Sequence, residues 1–268
     1  MKLQIEHRTV FSYSAPLRHA VQRVHLRPQS GPTQRVLNWQ LQAPGRCISA
    51  TDGLGNAVDT FNVSAEARVS VVTAWGGVES LAVHDFVQPL GISPLYFVGS
   101  SGHGVSLADP HPRMSNWARR QVRGHGATPE DVLDLATAVA ERVRYRSGQT
   151  GVQTDALEAF DWGWGVCQDQ AHVMVALCRG LGWPARYVSG YFDDPHAPEL
   201  ASHAWVDVCV DAIARRWLSV DVTHACFTDE RHVRLAVGRD YAQCSPTRGV
   251  RLGGGHEDMH VSVDIVRL

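Results

Sequence analysis

No stretch of this chain combines the length and apolarity of a membrane span. The opening residues, Met1-Lys2-Leu3-Gln4-Ile5-Glu6-His7-Arg8, carry charge where a signal peptide needs its apolar run. A cytoplasmic protein with no membrane partner is expected. Neither sign of charge dominates: 25 Lys and Arg stand against 27 Asp and Glu, and no long basic run offers a surface to nucleic acid or an anionic bilayer. The six cysteines, at 47, 167, 178, 209, 226 and 244, contain no C-x-x-C pair. That removes the spacing of a zinc site or a redox dithiol and leaves reduced thiols as the expectation. Fourteen histidines include no H-E-x-x-H, and His256-Glu257-Asp258-Met259-His260 has the wrong order for one. Neither a metal nor another cofactor is expected. What remains is a chain of 268 residues, long enough for one large domain or two modest ones whose core needs no cross-links.

Two patterns divide that length. Residues 1 to about 98 read as strands separated by turns, with alternation or β-branched residues over Leu3 to Tyr13, Val21 to Leu26, Leu37/Trp39/Leu41, Val58 to Val63 and Val69 to Thr73. Asp52-Gly53-Leu54-Gly55-Asn56 is dense in residues that tolerate positive φ and predicts a tight connection. The most linker-like composition follows at 99–104, so the boundary is expected there, giving a β-rich region over 1–104 and a second unit over 105–268. In that second unit Thr128-Pro129-Glu130-Asp131 reads as a helix start, and Val132, Leu135, Ala136, Val139 and Val143 recur at helical spacing.

Cys167 opens another such helix, at the end of a Gly-rich turn in Trp164-Gly165-Val166-Cys167-Gln168-Asp169-Gln170-Ala171-His172. A thiol there feels unpaired backbone N–H groups and the positive end of the helix dipole, which makes Cys167 a candidate nucleophile. The other five cysteines are expected to pack as small hydrophobes. Strand alternation puts Ala204, Val206, Val208 and Val210 on one face and His203, Trp205, Asp207 and Cys209 on the other. In the next strand Asp221 shares the side of Trp217 and Ser219. A hairpin centred near Ala212 sets His203 directly across from Asp221, with Cβ atoms about 5 Å apart. One centred near Ala214 separates them by roughly 13 Å of strand. Cys, His and Asp in that order supply a nucleophile, a base and a carboxylate that fixes the base's tautomer, which is the chemistry of acyl transfer from an amide. The Cys167 N–H is the expected oxyanion donor. Trp162, Trp164 and Trp205 are candidate walls of a substrate groove as well as candidate core. His172 is expected to make a structural hydrogen bond, and His224, His232, His256 and His260 to be surface or capping residues. The loop 193–202 is a candidate lid.

These residues resemble the bacterial transglutaminase-like family of the papain-like cysteine enzymes. The likeness runs through Val143-Arg144-Tyr145-Arg146-Ser147-Gly148-Gln149-Thr150, the Cys167 segment, Ala185-Arg186-Tyr187-Val188-Ser189-Gly190-Tyr191, Ser202-His203-Ala204-Trp205-Val206 and Gly238-Arg239-Asp240-Tyr241. It implies an α+β fold, with an all-β sandwich-like N-terminal region and a core whose catalytic helix packs on an antiparallel sheet. It also implies Cys167 as nucleophile, His203 as base and Asp221 as its partner. Two positions depart from the pattern: Gln170 stands where an aromatic is common, and Asp221-Val222-Thr223-His224 replaces Asp-Pro-Thr-Asn. The expected function is cleavage of a peptide or protein amide through a thioester, with hydrolysis preferred. Protein-glutamine transamidation and a non-catalytic peptide-binding or assembly module are the alternatives.

Overall fold

A computed structural model describes residues 1–99, 106–124, 126–195 and 202–268. The expected linker at 99–104 and the expected lid at 193–202 therefore lie largely outside the described residues. The chain opens with seven strands: β1 (Lys2–Tyr13), β2 (Leu17–Val24), β3 (Gln34–Gln42), β4 (Cys47–Thr51), β5 (Ala57–Val63), β6 (Val69–Ser80) and β7 (Asp85–Val87). After a short 3-10 turn at Pro94–Phe97 come α1 (Pro112–Ala118), α2 (Pro129–Arg142), β8 (Arg144–Tyr145), α3 (Ala156–Trp162), β9 (Trp164–Gly165) and α4 (Cys167–Gly180). The remainder is β10 (Ala185–Phe192), β11 (Ser202–Asp211), β12 (Arg216–Asp221), β13 (Cys226–Phe227), β14 (His232–Gly238), α5 (Tyr241–Cys244), β15 (Thr247–Gly253) and β16 (Glu257–Arg267).

Two four-stranded antiparallel sheets, in the orders β16-β1-β6-β3 and β15-β2-β5-β4, make up the β-rich region. Along β1 burial alternates almost residue by residue, and Leu3, Ile5 and Phe11 share a core with Leu17, Val24, Phe61 and Val72. The expected turn at 52–56 joins β4 to β5: the Asp52 carboxylate accepts the Leu54 and Asn56 N–H groups, each at 2.9 Å, while Gly55 has φ 88°.

The closing hairpin corrects the expected linear division. The expected division puts residues 247–267 with the second unit, but β15 pairs with β2 and β16 with β1, so these strands cover the edges of the β-rich region. A sheet edge presents unpaired N–H and C=O groups, and this hairpin satisfies them. In the other direction, β7 pairs with β12 and joins the second unit's sheet.

That sheet runs β13-β12-β11-β10-β14 and is antiparallel throughout. Helix α4 packs on β10 and β11, with α1, α2 and α3 against it. Residues Asp169 to Arg179 are all buried, as they must be in a helix enclosed by a sheet and three other helices. The expected core face of α2 is present, with Val132, Leu135, Ala136 and Val139 fully buried and Thr128 capping the Asp131 N–H at 3.1 Å. At the far end of α4, Arg179 donates to the carbonyls of Phe97, Ala108, Ala185 and Arg239, locking the helix to the segments around it. The alternation of β11 holds: Ala204, Val206 and Val208 join the helix-side core. The opposite face is also covered, since Trp205 packs with Val188 and Val237, and Cys209 with Phe86 and Trp217.

Candidate active site

The local backbone before Cys167 is built to expose a helix start. Gly163 ends α3 in the left-handed region at φ 76°, and β9 then pairs with β8 in parallel. Val166, the cap residue of α4, has no side chain that accepts a hydrogen bond. Asp169 curls back instead, its Oδ2 accepting the Val166 N–H and the Thr150 hydroxyl, each at 2.7 Å. Gly165 makes room for this: a Cβ there would stand 2.5 Å from the Asp169 Cβ. Within the helix the Gln170 N–H is the first to reach a carbonyl, that of Val166 at 3.0 Å. The N–H groups of Cys167, Gln168 and Asp169 are thus left at the helix mouth. Cys167 is half-buried there.

His203, at the start of β11, pairs its Nε2 with Asp221 Oδ2 at 2.8 Å and lies near enough to the Cys167 side chain to be influenced by it electrostatically. With Nε2 engaged by Asp221, Nδ1 is the ring nitrogen that the carboxylate leaves unused. Burial pulls the imidazolium down, but the Asp221 charge and hydrogen bond, with the sulfur's contribution, outweigh it and raise His203 to about 10. Asp221 is fully buried. Burial alone would push its carboxyl up, yet the His203 charge and three imidazole hydrogen bonds hold it well below the usual carboxylate range.

The three residues singled out by chain order are therefore brought together, though by another register than the one expected. The pairing Val206↔Val220 and Val208↔Leu218 centres the hairpin at residue 213. Continued, it sets Asp221 across from Trp205, so His203 is a diagonal neighbour two residues on. Diagonal neighbours lie about 7–8 Å apart at Cα, within reach of an imidazole and a carboxylate.

Two further histidines complete the carboxylate's surroundings. His224 Nδ1 reaches Asp221 Oδ2 at 2.8 Å, and its backbone N–H reaches Oδ1 at 3.2 Å. His232 Nε2 reaches the same Oδ2 at 3.0 Å. The expected surface role of His232 is thereby corrected: it is buried, with Nδ1 held 3.1 Å from Asp229 Oδ1. The Phe192 ring lies 5.2, 4.5 and 4.6 Å from those of His203, His224 and His232. His203, Asp221 and His232 also form the one group, among the described residues, whose donor atoms are close enough to hold a metal ion. Gln170, one of the departures, ties the Cys167 helix to the end of β12: its Oε1 accepts the Thr223 hydroxyl at 2.7 Å and its Nε2 donates to the Val143 carbonyl at 2.8 Å.

The tryptophans separate. Trp205 is only 2% exposed and cannot meet a substrate, so its place as a candidate groove residue is withdrawn. It lies over Gly190, where an added Cβ would come within 2.3 Å of the indole, and backs the rings of His203 and His232 at 6.2 and 5.3 Å. Trp162 and Trp164 stack at 6.5 Å just before the cysteine, with Trp162 well exposed. Tyr145, exposed on β8 and an electrostatic neighbour of Cys167, carries no signal in the sequence beyond preceding the Cys167 turn. His172 has the expected structural role, its Nε2 accepting the Tyr241 N–H at 3.1 Å. Of the other cysteines, 178, 209 and 244 are buried as expected, Cys226 is half-buried, and Cys47 is exposed, with its thiol 3.7 Å from Asp59. Burial pushes all five of these thiols up, Cys178 to about 12.

Comparison with known proteins adds to this geometry. Residues 115–222 match the transglutaminase-like superfamily, and residues 3–79 match the bacterial transglutaminase-like N-terminal region. An uncharacterized protein of Mycobacterium leprae is 27% identical across 100% of this chain and 99% of its own length. One from Mycobacterium tuberculosis is 30% identical across 99% of this chain and 92% of its own. A Cytophaga hutchinsonii protein solved as a "Putative Cysteine Protease" superposes with a TM-score of 0.74 at 20% identity, over 100% of this chain and 91% of that one. At that identity the likeness speaks for the fold.

Proposed function

Because this chain belongs to the transglutaminase-like superfamily, with the bacterial N-terminal region ahead of its core, we propose that it is a cysteine enzyme that opens peptide or protein amides through a Cys167 thioester. One observation carries the reading: His203 is bonded through one ring nitrogen to a buried carboxylate and lies beside a half-buried cysteine at a helix mouth.

The steps follow from those contacts. The Cys167 sulfur attacks the amide carbon, a C–S bond forms, and the carbonyl π pair moves to oxygen, where the Cys167 N–H and the helix dipole meet the charge. As the C–N bond breaks, the imidazolium passes its Nδ1 proton to the departing amine and a thioester remains. His203 then takes a proton from water, whose oxygen adds to the thioester carbon. Collapse returns the acid and the sulfur, with the proton back on the imidazole. Asp221 exchanges no proton; it holds Nε2–H and balances the imidazolium. Trp162 and Trp164 form a wall of the groove beside the nucleophile. A reducing, cytoplasmic setting accords with six unpaired cysteines.

Hydrolysis is preferred to amine transfer because, among the described residues, no feature around Cys167 sets an amine in water's place. A glutamine-bearing peptide library offered with a labelled primary amine distinguishes the two: release of acid without label is expected, and label incorporation identifies a transferase. Cys167→Ala is expected to abolish either product. Undiminished turnover by that variant would remove the proposal.

A further inference from the structure

A cavity of about 310 Å³ lies between loops 29–34 and 54–56 of the β-rich region and the segment 86–90, with Arg186 of β10 and Arg234 of β14 in its wall. The two guanidiniums share a single carboxylate. Asp207, fully buried on β11, accepts from Arg186 Nε at 2.7 Å, from Arg234 Nη1 and Nη2 at 2.5 and 2.8 Å, and from the Ser219 hydroxyl. The other partner of Arg186 is neutral, the Gln88 Oε1 at 2.8 Å from Nη2. Among the described residues, no Asp or Glu lines the cavity. One positive charge is therefore left over in a low-dielectric wall, an expensive arrangement unless something counters it.

The aromatic faces nearby offset part of that charge. Arg186 lies 4.2 Å over Trp217 and Arg234 lies 5.5 Å over Phe86. They hold the guanidinium planes in place but offer no anionic acceptor. Burial lowers Arg186, Asp207 counters this, and the neighbouring Arg234 lowers it further, as expected of a cation whose charge is incompletely answered. The rest of the lining is uncharged: an apolar part from Leu54, Phe86 and Leu90, with neutral amides and the Ser30 and Thr33 side chains between.

We propose that this cavity is a second, non-catalytic site that binds a small monoanionic carboxylate with an apolar body. Its volume is at the small end of ligand pockets, which limits the occupant to something near the size of benzoate. Asp207 stands four residues along β11 from His203 and on the same face, roughly 13 Å away, so the occupant does not touch the reacting atoms.

Calorimetric titration of the whole protein at low ionic strength, with benzoate, acetate and neutral benzamide as probes, tests this. Benzoate is expected to bind one to one, acetate more weakly because it fills less apolar wall, and benzamide at least tenfold more weakly than benzoate. Gln88→Glu places a carboxylate where the amide oxygen now meets Arg186. It is expected to raise the thermal midpoint and weaken benzoate at least tenfold. Cys167→Ala is expected to bind benzoate as the parent does, which separates this site from the chemistry at the cysteine. Absence of benzoate binding, benzamide binding as tightly as benzoate, or a Gln88→Glu protein that binds benzoate unchanged would each overturn the proposal.

Discussion

Asp221 gathers three imidazoles and a backbone N–H, so its surroundings decide how firmly His203 is aimed. His232→Leu removes one donor from a buried carboxylate and is expected to cost about 1–3 kcal/mol of stability, measured by urea denaturation. An unchanged midpoint would mean that the carboxylate does not depend on it. The pH dependence follows from His203. Its folded value of about 10 stands above the ordinary 6.5, so the stability its contacts supply is complete below about pH 6.5 and is lost as pH rises through about 10. Asp221, held low, acts oppositely: its contribution is present above the usual carboxylate range and is lost on acidification. The thermal midpoint is therefore expected to fall between neutrality and about pH 10.5 more steeply in the parent than in His203→Gln. Equal slopes would contradict the paired His203. Cys167, His203 and Asp221 were legible because chain order and strand parity are local properties. His232 was not, because it reaches Asp221 from β14, and only the long-range arrangement of the sheet brings the two together. The register was likewise hidden: parity is the same for a hairpin centred on 212, 213 or 214, so alternation could not choose among them.

At the scale of elements, the position of Cys167 rests on Gly163, Gly165 and Asp169. Asp169→Ala removes the acceptor for the Val166 N–H and the Thr150 hydroxyl, and is expected to cost about 0.5–2 kcal/mol while loosening the helix mouth. Gly190→Ala is expected to be worse for activity than for folding. Its Cβ would meet both the Trp205 indole and the Val233 carbonyl at 2.3 Å, and Trp205 is what backs the His203 ring. Overpacking of this kind costs about 1–3 kcal/mol, readable in the thermal midpoint, with a fall in turnover of the folded fraction. Helix α2 was legible because its Thr128 cap and apolar spacing are strong signals, and α4 because apolar spacing follows a Gly-rich turn. Strand β4 was not, since all five of its residues are exposed and show no alternation.

The whole molecule is tied end to end by its last hairpin, which sequence composition assigned to the wrong unit. Its strands show little burial and flank a Gly253-Gly254-Gly255 turn with every φ positive; Met259, Val261, Val263 and Ile265 alternate, but alternation does not say which sheet a strand joins. A chain ending after residue 246 exposes both edges and is expected to lose solubility, measured by light scattering at the temperature where the full chain stays clear. The central claim concerns the sulfur and the imidazole at the junction of helix and sheet, and it can be tested without knowing the substrate. Iodoacetamide is applied at neutral pH to the folded protein, and modification of each cysteine is followed by peptide mapping in the parent and in His203→Gln. The account predicts that half-buried Cys167 reacts faster than exposed Cys47 in the parent and loses that lead in the variant. Cys167 reacting no faster than Cys47, or just as fast without His203, would contradict it.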